Sequence, residues 1–126
     1  MRNNEHLIQS AFIQWVDMNI SRPNHHPAFD YIFAVPNGGK RGFKTAATMK
    51  REGQRKGVLD LWCPYPSGRF FGWICETKAG KNKPTKEQAE WLDRMVDVRW
   101  FCCVCRSTDA MIDSFEKYIG IRKAKD

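Results

Sequence analysis

The sequence predicts an α/β protein, a mixed β-sheet flanked by helices with its elements in the order α-β-α-β-β-α-β-α. Three observations predict it. Apolar residues recur at helical spacing in separate stretches near the start, after residue 85 and after residue 107. Runs rich in β-branched and aromatic residues, Gly57–Cys63, Phe70–Lys78 and Trp100–Cys105, read as strands. The last of these is separated from its predecessor by a whole helix, which lets it run parallel through a crossover. With 126 residues, 42% hydrophobic and 13% aromatic, the chain can fill one modest core, so a single domain over 1–126 is expected.

Each element has a local reason. From Asn4 to Asn19, Ile8, Ala11, Phe12, Trp15 and Val16 fall on one helical face, and the segment Ser21 to Pro27 breaks it. Phe29 to Val35 reads as a strand ended by the turn Pro36-Asn37-Gly38-Gly39. Lys44 to Glu52 reads as a short basic helix that Gly53 can end. The next two strands form a hairpin about Pro64-Tyr65-Pro66-Ser67-Gly68. Thr85-Lys86-Glu87-Gln88 has the spacing of a capping box for a helix to Val96, with Ala89, Leu92, Met95 and Val96 as its inward stripe. Trp100 to Cys105 is almost continuously apolar, as expected of a strand covered on both faces. Ser107 can cap a last helix to Tyr118, and Lys123 to Asp126 reads as a frayed tail.

The most informative residues are charged. Asp60 and the run Glu76-Thr77-Lys78 put two carboxylates and an ammonium on adjacent strands, with Glu76 and Lys78 on the same face. An unpaired charge among such apolar neighbours costs roughly several kcal/mol, so the group needs a partner. A divalent cation held by Asp60 and Glu76 is one; an ordinary salt bridge on a surface strand pair is the plainer alternative. The net charge of +7 and pI near 9.3 favour an anionic partner. Between Lys40 and Lys56 lie Lys40, Arg41, Lys44, Lys50, Arg51, Arg55 and Lys56 against the single acid Glu52, and Lys78, Lys81, Lys83 and Lys86 form a second cluster. Both clusters flank the carboxylates in sequence, which a merely solvated surface does not require.

Other residue types narrow the choice. No stretch approaches the length of a membrane span, and the amino terminus reads as a polar-faced helix, so a soluble cytoplasmic protein is expected. The five cysteines, Cys63, Cys75, Cys102, Cys103 and Cys105, lack a Cys-x-x-Cys pair and sit in strand-like segments; buried free thiols are expected ahead of a zinc site. His25 and His26 lie in a Pro/Asn-rich loop without a third ligand at a useful spacing and read as surface loop histidines.

Taken in order, Pro36-Asn37-Gly38-Gly39, a basic helix ending at Gly53, Gly57-Val58-Leu59-Asp60-Leu61, Glu76-Thr77-Lys78 and Gln88-x-x-Trp91 resemble the VRR-NUC family of the PD-(D/E)xK nuclease superfamily. The resemblance runs from Glu5 to Tyr118, and its specificity lies in the ordered set. It departs at Leu59, where the family usually has proline ahead of the aspartate. It implies a restriction-endonuclease-like fold and a DNA endonuclease dependent on Mg²⁺ or Mn²⁺. On that reading Asp60, Glu76 and the carbonyl of Thr77 bind metal, and Lys78 orients the attacking water and helps deprotonate it. Glu5, on the inward face of the first helix, is an outer or water-mediated metal ligand, or else simply complements the helix dipole. Gln88 extends the site, or else only closes the capping box.

Lys40 and Arg41, following the glycine turn, are the expected phosphate contacts, with Lys44, Arg51 and Lys81 completing the DNA-binding set. The chain matches the size of stand-alone members, which resemble phage and bacterial Holliday-junction-resolving nucleases and are often dimeric. A homodimer acting on branched DNA, a junction or a flap, is therefore expected, and Met111, Ile112, Phe115 and Ile119 exceed one narrow apolar stripe, as a dimer face would, the plainer alternative being that all four serve the core. The rival readings are a non-catalytic nucleic-acid-binding module, which needs the basic clusters but not the whole Asp60, Glu76 and Lys78 set, and a hydrolase of small phosphoesters, which needs less spread of positive charge.

Overall fold

The computed structural model describes residues 2–36 and 46–120. In chain order these are α1 (Arg2–Ile20), a 3-10 helix (Pro27–Tyr31), β1 (Phe33–Ala34), α2 (Ala46–Arg51), β2 (Leu61–Cys63), β3 (Trp73–Thr77), α3 (Lys86–Asp97), β4 (Phe101–Cys105) and α4 (Thr108–Ile119). The strands form one mixed sheet in the order β1-β2-β3-β4. The first three are antiparallel neighbours, and β4 joins β3 in parallel after the α3 crossover. Among the described residues no helix is long and apolar enough to cross a membrane.

Strand alternation sends β3 into two cores at once. Trp73 and Cys75 join Phe12, Phe29, Cys105, Met111 and Phe115 under α1 and α4, while Ile74 joins Leu59 and Met95 under α3. All five residues of β3 are buried, as expected of a central strand with helices on both faces. The α1 side is strongly aromatic: Phe12 stacks on Trp73 at 5.8 Å, and Phe115 meets Trp73 edge-on at 5.2 Å. Such pairs add about 0.5–1.5 kcal/mol each beyond the area they bury.

Three expectations change. Phe29 does not begin a strand, because Pro27 opens a 3-10 turn whose Ala28 N–H is accepted by His26 Nδ1 at 3.0 Å; Phe29 then turns inward to Trp15 and Phe115. On α3, Ala89 and Val96 face solvent, and the inward positions are Gln88, Trp91, Leu92 and Met95. On α4, Met111, Phe115 and Ile119 are buried and Ile112 packs against them, so the apolar residues that suggested a dimer face serve this chain's own core. The turn residues 37–39, the start of the basic helix at Lys44, and the tail Lys123–Asp126 lie outside the described residues.

The helix ends follow local rules. Thr85 and Gln88 form the reciprocal capping box, Ser107 accepts the Ala110 N–H at 3.1 Å, and Gly120 closes α4 in the left-handed conformation with φ 81°. The named strands are shorter than the apolar runs, yet hydrogen bonds continue past them. Val35 N–H donates to the Asp60 carbonyl at 2.8 Å and Lys78 N–H to the Cys105 carbonyl at 3.0 Å. Both charged residues are thus held by the sheet's own ladder.

Gly57 lets the segment leading to Asp60 pass directly beneath α3. Its φ is +82°, and a Cβ there would lie 2.4 Å from Cβ of Glu87. Gly53, with φ +101°, has nothing within 4 Å of the same position. Backbone strain should therefore cost about 1–3 kcal/mol in either Gly→Ala variant, and the clash should cost Gly57→Ala about 1–3 kcal/mol more. Equal denaturation midpoints for Gly53→Ala and Gly57→Ala would refute the close approach.

Candidate active site

The hairpin register brings the acids together. Leu61 pairs with Cys75, so one step further along the antiparallel ladder sets Asp60 opposite Glu76. Asp60 Oδ2 accepts the Thr77 backbone N–H at 3.0 Å. Glu76 is only 2% exposed, and its Oε2 receives the Gln88 side-chain amide at 2.8 Å and lies 3.5 Å from Lys78 Nζ. Its other oxygen, Oε1, is the one buried side-chain N or O atom among the described residues that has no hydrogen-bond partner.

Two neighbouring buried carboxyls cannot both be ionised without compensation. Burial first, then the adjacent Asp60 charge, push Glu76 up to about 8, with Lys78 opposing them. Asp60 is also raised, mainly by burial, against the lowering effect of the Thr77 N–H. The pair therefore needs a shared proton or a cation. Hard oxygens from two carboxylates, one of them with an unsatisfied lone-pair face, are the donor chemistry of Mg²⁺ and Mn²⁺, so these residues fit such an ion.

Gln88 reaches both Thr85 and Glu76. Its Oε1 accepts the Thr85 backbone N–H at 2.9 Å, completing the capping box, while its Nε2 holds Glu76. Because the box locks the amide's orientation, the NH₂ end must point at the carboxylate. Glu5 reaches the same end of the sheet from α1. Its Oε2 accepts the Ala79 N–H and the Asn82 side-chain amide, each at 3.2 Å, and its charge raises the Asp60 carboxyl.

Three residues here were not singled out from the sequence. Gln9, one turn beyond Glu5, lies 3.5 Å from the Thr77 hydroxyl. Asn82 takes one side of Glu5, and Arg106 donates to the carbonyls of Gly80 and Asn82, fixing the loop after Lys78. Polar residues at helical spacing beside Glu5 were a signal for Gln9; Arg106 and Asn82 meet only through the crossover.

Of the basic candidates, Lys81 and Arg51 are exposed, Lys81 in that loop and Arg51 on α2, where it bonds Thr48 Oγ1 at 3.4 Å. Lys40, Arg41 and Lys44 lie outside the described residues. Beside Gln88 a groove of about 590 Å³ opens between α2 and α3, lined by Met49, Lys50, Arg55, Lys56, Val58 and Gln88. The two loop histidines serve the fold: His25 pairs with Asp30 at 3.0 Å, and His26 caps the 3-10 helix and packs edge-on to Tyr65.

No protein-family model and no curated protein matches the chain. A solved structure described as a VRR_NUC domain protein does, with a TM-score of 0.77 at 25% identity, covering 95% of this chain and 91% of that one. That likeness, over nearly the whole of both chains, shows the restriction-endonuclease-like α/β fold and supports a VRR-NUC domain.

Proposed function

We propose that the chain is an endonuclease that hydrolyses DNA phosphodiesters with Mg²⁺ or Mn²⁺ and selects branched or interrupted DNA by shape. The observation that carries this is the buried Glu76, opposite Asp60 and with an unsatisfied oxygen. A module that only bound nucleic acid would gain nothing from two carboxyls held at raised pKa, and both acids would repel the phosphate backbone. A divalent cation bound there neutralises charge on the reacting phosphate and eases deprotonation of the attacking water.

This chain's residues supply the rest. Asp60 and Glu76 are the proposed ligands, joined by the Thr77 carbonyl, with Glu5 at the edge of the site. Gln88 and Lys78 hold the same oxygen of Glu76, which leaves Oε1 for a ligand. Lys78, only 8% exposed, orients the attacking water and helps remove its proton. The proposed DNA path runs over the basic rim of the groove beside Gln88 and over Lys40, Arg41, Lys44, Arg51 and Lys81, which hold phosphates and leave sequence unread. The described residues of one chain carry one such site, so cutting both strands of a two-fold symmetric junction calls for two copies, whereas a flap or nick needs only one.

The test is a labelled panel of four-way junctions, flaps, nicked and linear duplexes and single strands, with Mg²⁺, Mn²⁺ or chelator. Asp60→Asn and Glu76→Gln should each lower cleavage by more than about 100-fold while binding the panel like wild type, since losing even an outer partner of a metal ligand costs about 10–100-fold. Cleavage by either variant at near the wild-type rate, or by wild type in chelator, removes the metal assignment.

The raised pKa of Glu76 gives a pH signature. In the metal-free protein it is protonated up to about 8 when folded but only to about 4.5 when unfolded, so between these values the folded state binds more protons. Its contribution to stability therefore falls as pH rises through that window. The melting temperature of Glu76→Gln minus that of wild type, both in chelator, should grow from pH 4.5 to about pH 8. A difference that stays flat across that range contradicts the buried carboxyl pair.

Counterion release offers a further check. Replacing both Lys40 and Arg41 by alanine should reduce the magnitude of the log K against log salt slope by about 0.9 for each duplex phosphate that the protein no longer neutralises. An unchanged slope places the DNA elsewhere.

A further inference from the structure

On the face of β3 opposite the carboxylates, we infer a second metal site of different chemistry, in which Cys75, Cys103 and Cys105 bind one thiophilic d¹⁰ cation, zinc(II) or copper(I). The three Sγ atoms lie within 4.8 Å of one another. Sulfurs bound at about 2.3 Å to a shared ion sit about 4 Å apart, so the cluster needs to close by less than about 1 Å. The sheet makes this arrangement and the sequence spacing hides it. Cys75 and Cys103 are direct partners in the parallel β3–β4 register, and Cys105 follows on the same side two residues later. The α3 crossover separates Cys75 from the other two along the chain.

The surroundings suit a soft ion. The site holds thiols alone, which favours zinc(II) or copper(I) over Mg²⁺ or Mn²⁺. Cys75 and Cys105 are buried and Cys103 is half-buried against the same core, so the three thiols are largely withdrawn from water. The Ser114 hydroxyl donates to Cys103 Sγ at 3.2 Å and itself accepts the Trp73 indole N–H at 3.1 Å. That chain orients a ligating sulfur in the way outer partners of metal ligands do. Cys63 and Cys102 lie outside the cluster, Cys63 donating to the Ala28 carbonyl and Cys102 to the carbonyls of Trp100 and Leu92.

The test uses the full chain, reduced and stripped with chelator, then titrated separately with zinc(II), with copper(I), with cadmium(II) as a spectroscopic probe, and with Mg²⁺. Cadmium should give a thiolate charge-transfer absorption saturating at one equivalent, and zinc or copper(I) should displace it; whichever does so at the lower concentration is the preferred ion. Excess Mg²⁺ should leave it in place. Cys103→Ser and Cys105→Ser should lose the absorption, Cys63→Ser and Cys102→Ser should keep it, and Ser114→Ala should weaken affinity by roughly 10–100-fold. Asp60→Asn should keep it too, which makes this result independent of the nuclease reading. As a check that needs no variant, loaded wild type should protect these three thiols from alkylation, mapped by mass, and leave Cys102 as reactive as in the stripped protein. Absence of saturable binding, retention of the absorption in folded Cys103→Ser, or loading without protection of the three thiols overturns the site and leaves them as packed free thiols.

Discussion

Glu76 is a carboxylate in the middle of a protein, and the structure around it is arranged to hold it there. It stands on a strand buried on both faces, only 2% exposed, and opposite a second acid. A charge so placed is expensive unless paired and hydrogen-bonded. Lys78 and Gln88 both serve the same oxygen, and the other oxygen is unserved. The aromatic core beneath α1 and α4 fixes β3, the antiparallel register fixes Asp60 against Glu76, and the capping box fixes Gln88. Each of these would be ordinary alone; together they hold two carboxyls side by side at the end of the sheet.

The two faces of β3 then carry two chemistries. Odd-numbered residues on the strand face a core containing three clustered thiols, and even-numbered ones face the carboxylate side and α3. Alternation keeps hard oxygen donors and soft sulfur donors apart although Cys75 and Glu76 are adjacent in sequence. Both proposed sites therefore depend on β3 staying in register with its neighbours.

Local patterns were read from the residues because local physics produces them. The spacing of Ile8, Phe12 and Trp15 made α1 legible, the Thr85 to Gln88 spacing announced the capping box, and the continuous apolar run from Trp100 announced a strand covered on both sides. Local signals also misled. Phe29 looked like strand until Pro27 and His26 imposed a 3-10 turn, and Ala89 and Val96 looked inward because an apolar residue at helical spacing does not say where the sheet lies. The surplus apolar residues of α4 were ambiguous between a partner and the core, and the aromatic packing of Phe115 with Trp73 and Phe12 resolves it for the core.

By itself the sequence determined the element order, the mixed sheet, the ends of α3 and α4, and the pairing of two acids with a lysine across a hairpin, because these follow from period, caps and turns within short stretches. Tertiary structure decided what depends on distant segments meeting. Gln88 joins its cap to Glu76 only because α3 crosses over β3, and Glu5 meets Ala79 and Asn82 only because α1 lies along the sheet. The three cysteines converge only because β4 returns parallel to β3, bringing Cys103 beside Cys75. Sequence spacing cannot show such encounters, since the residues involved are brought together by burial of apolar surface they do not themselves provide.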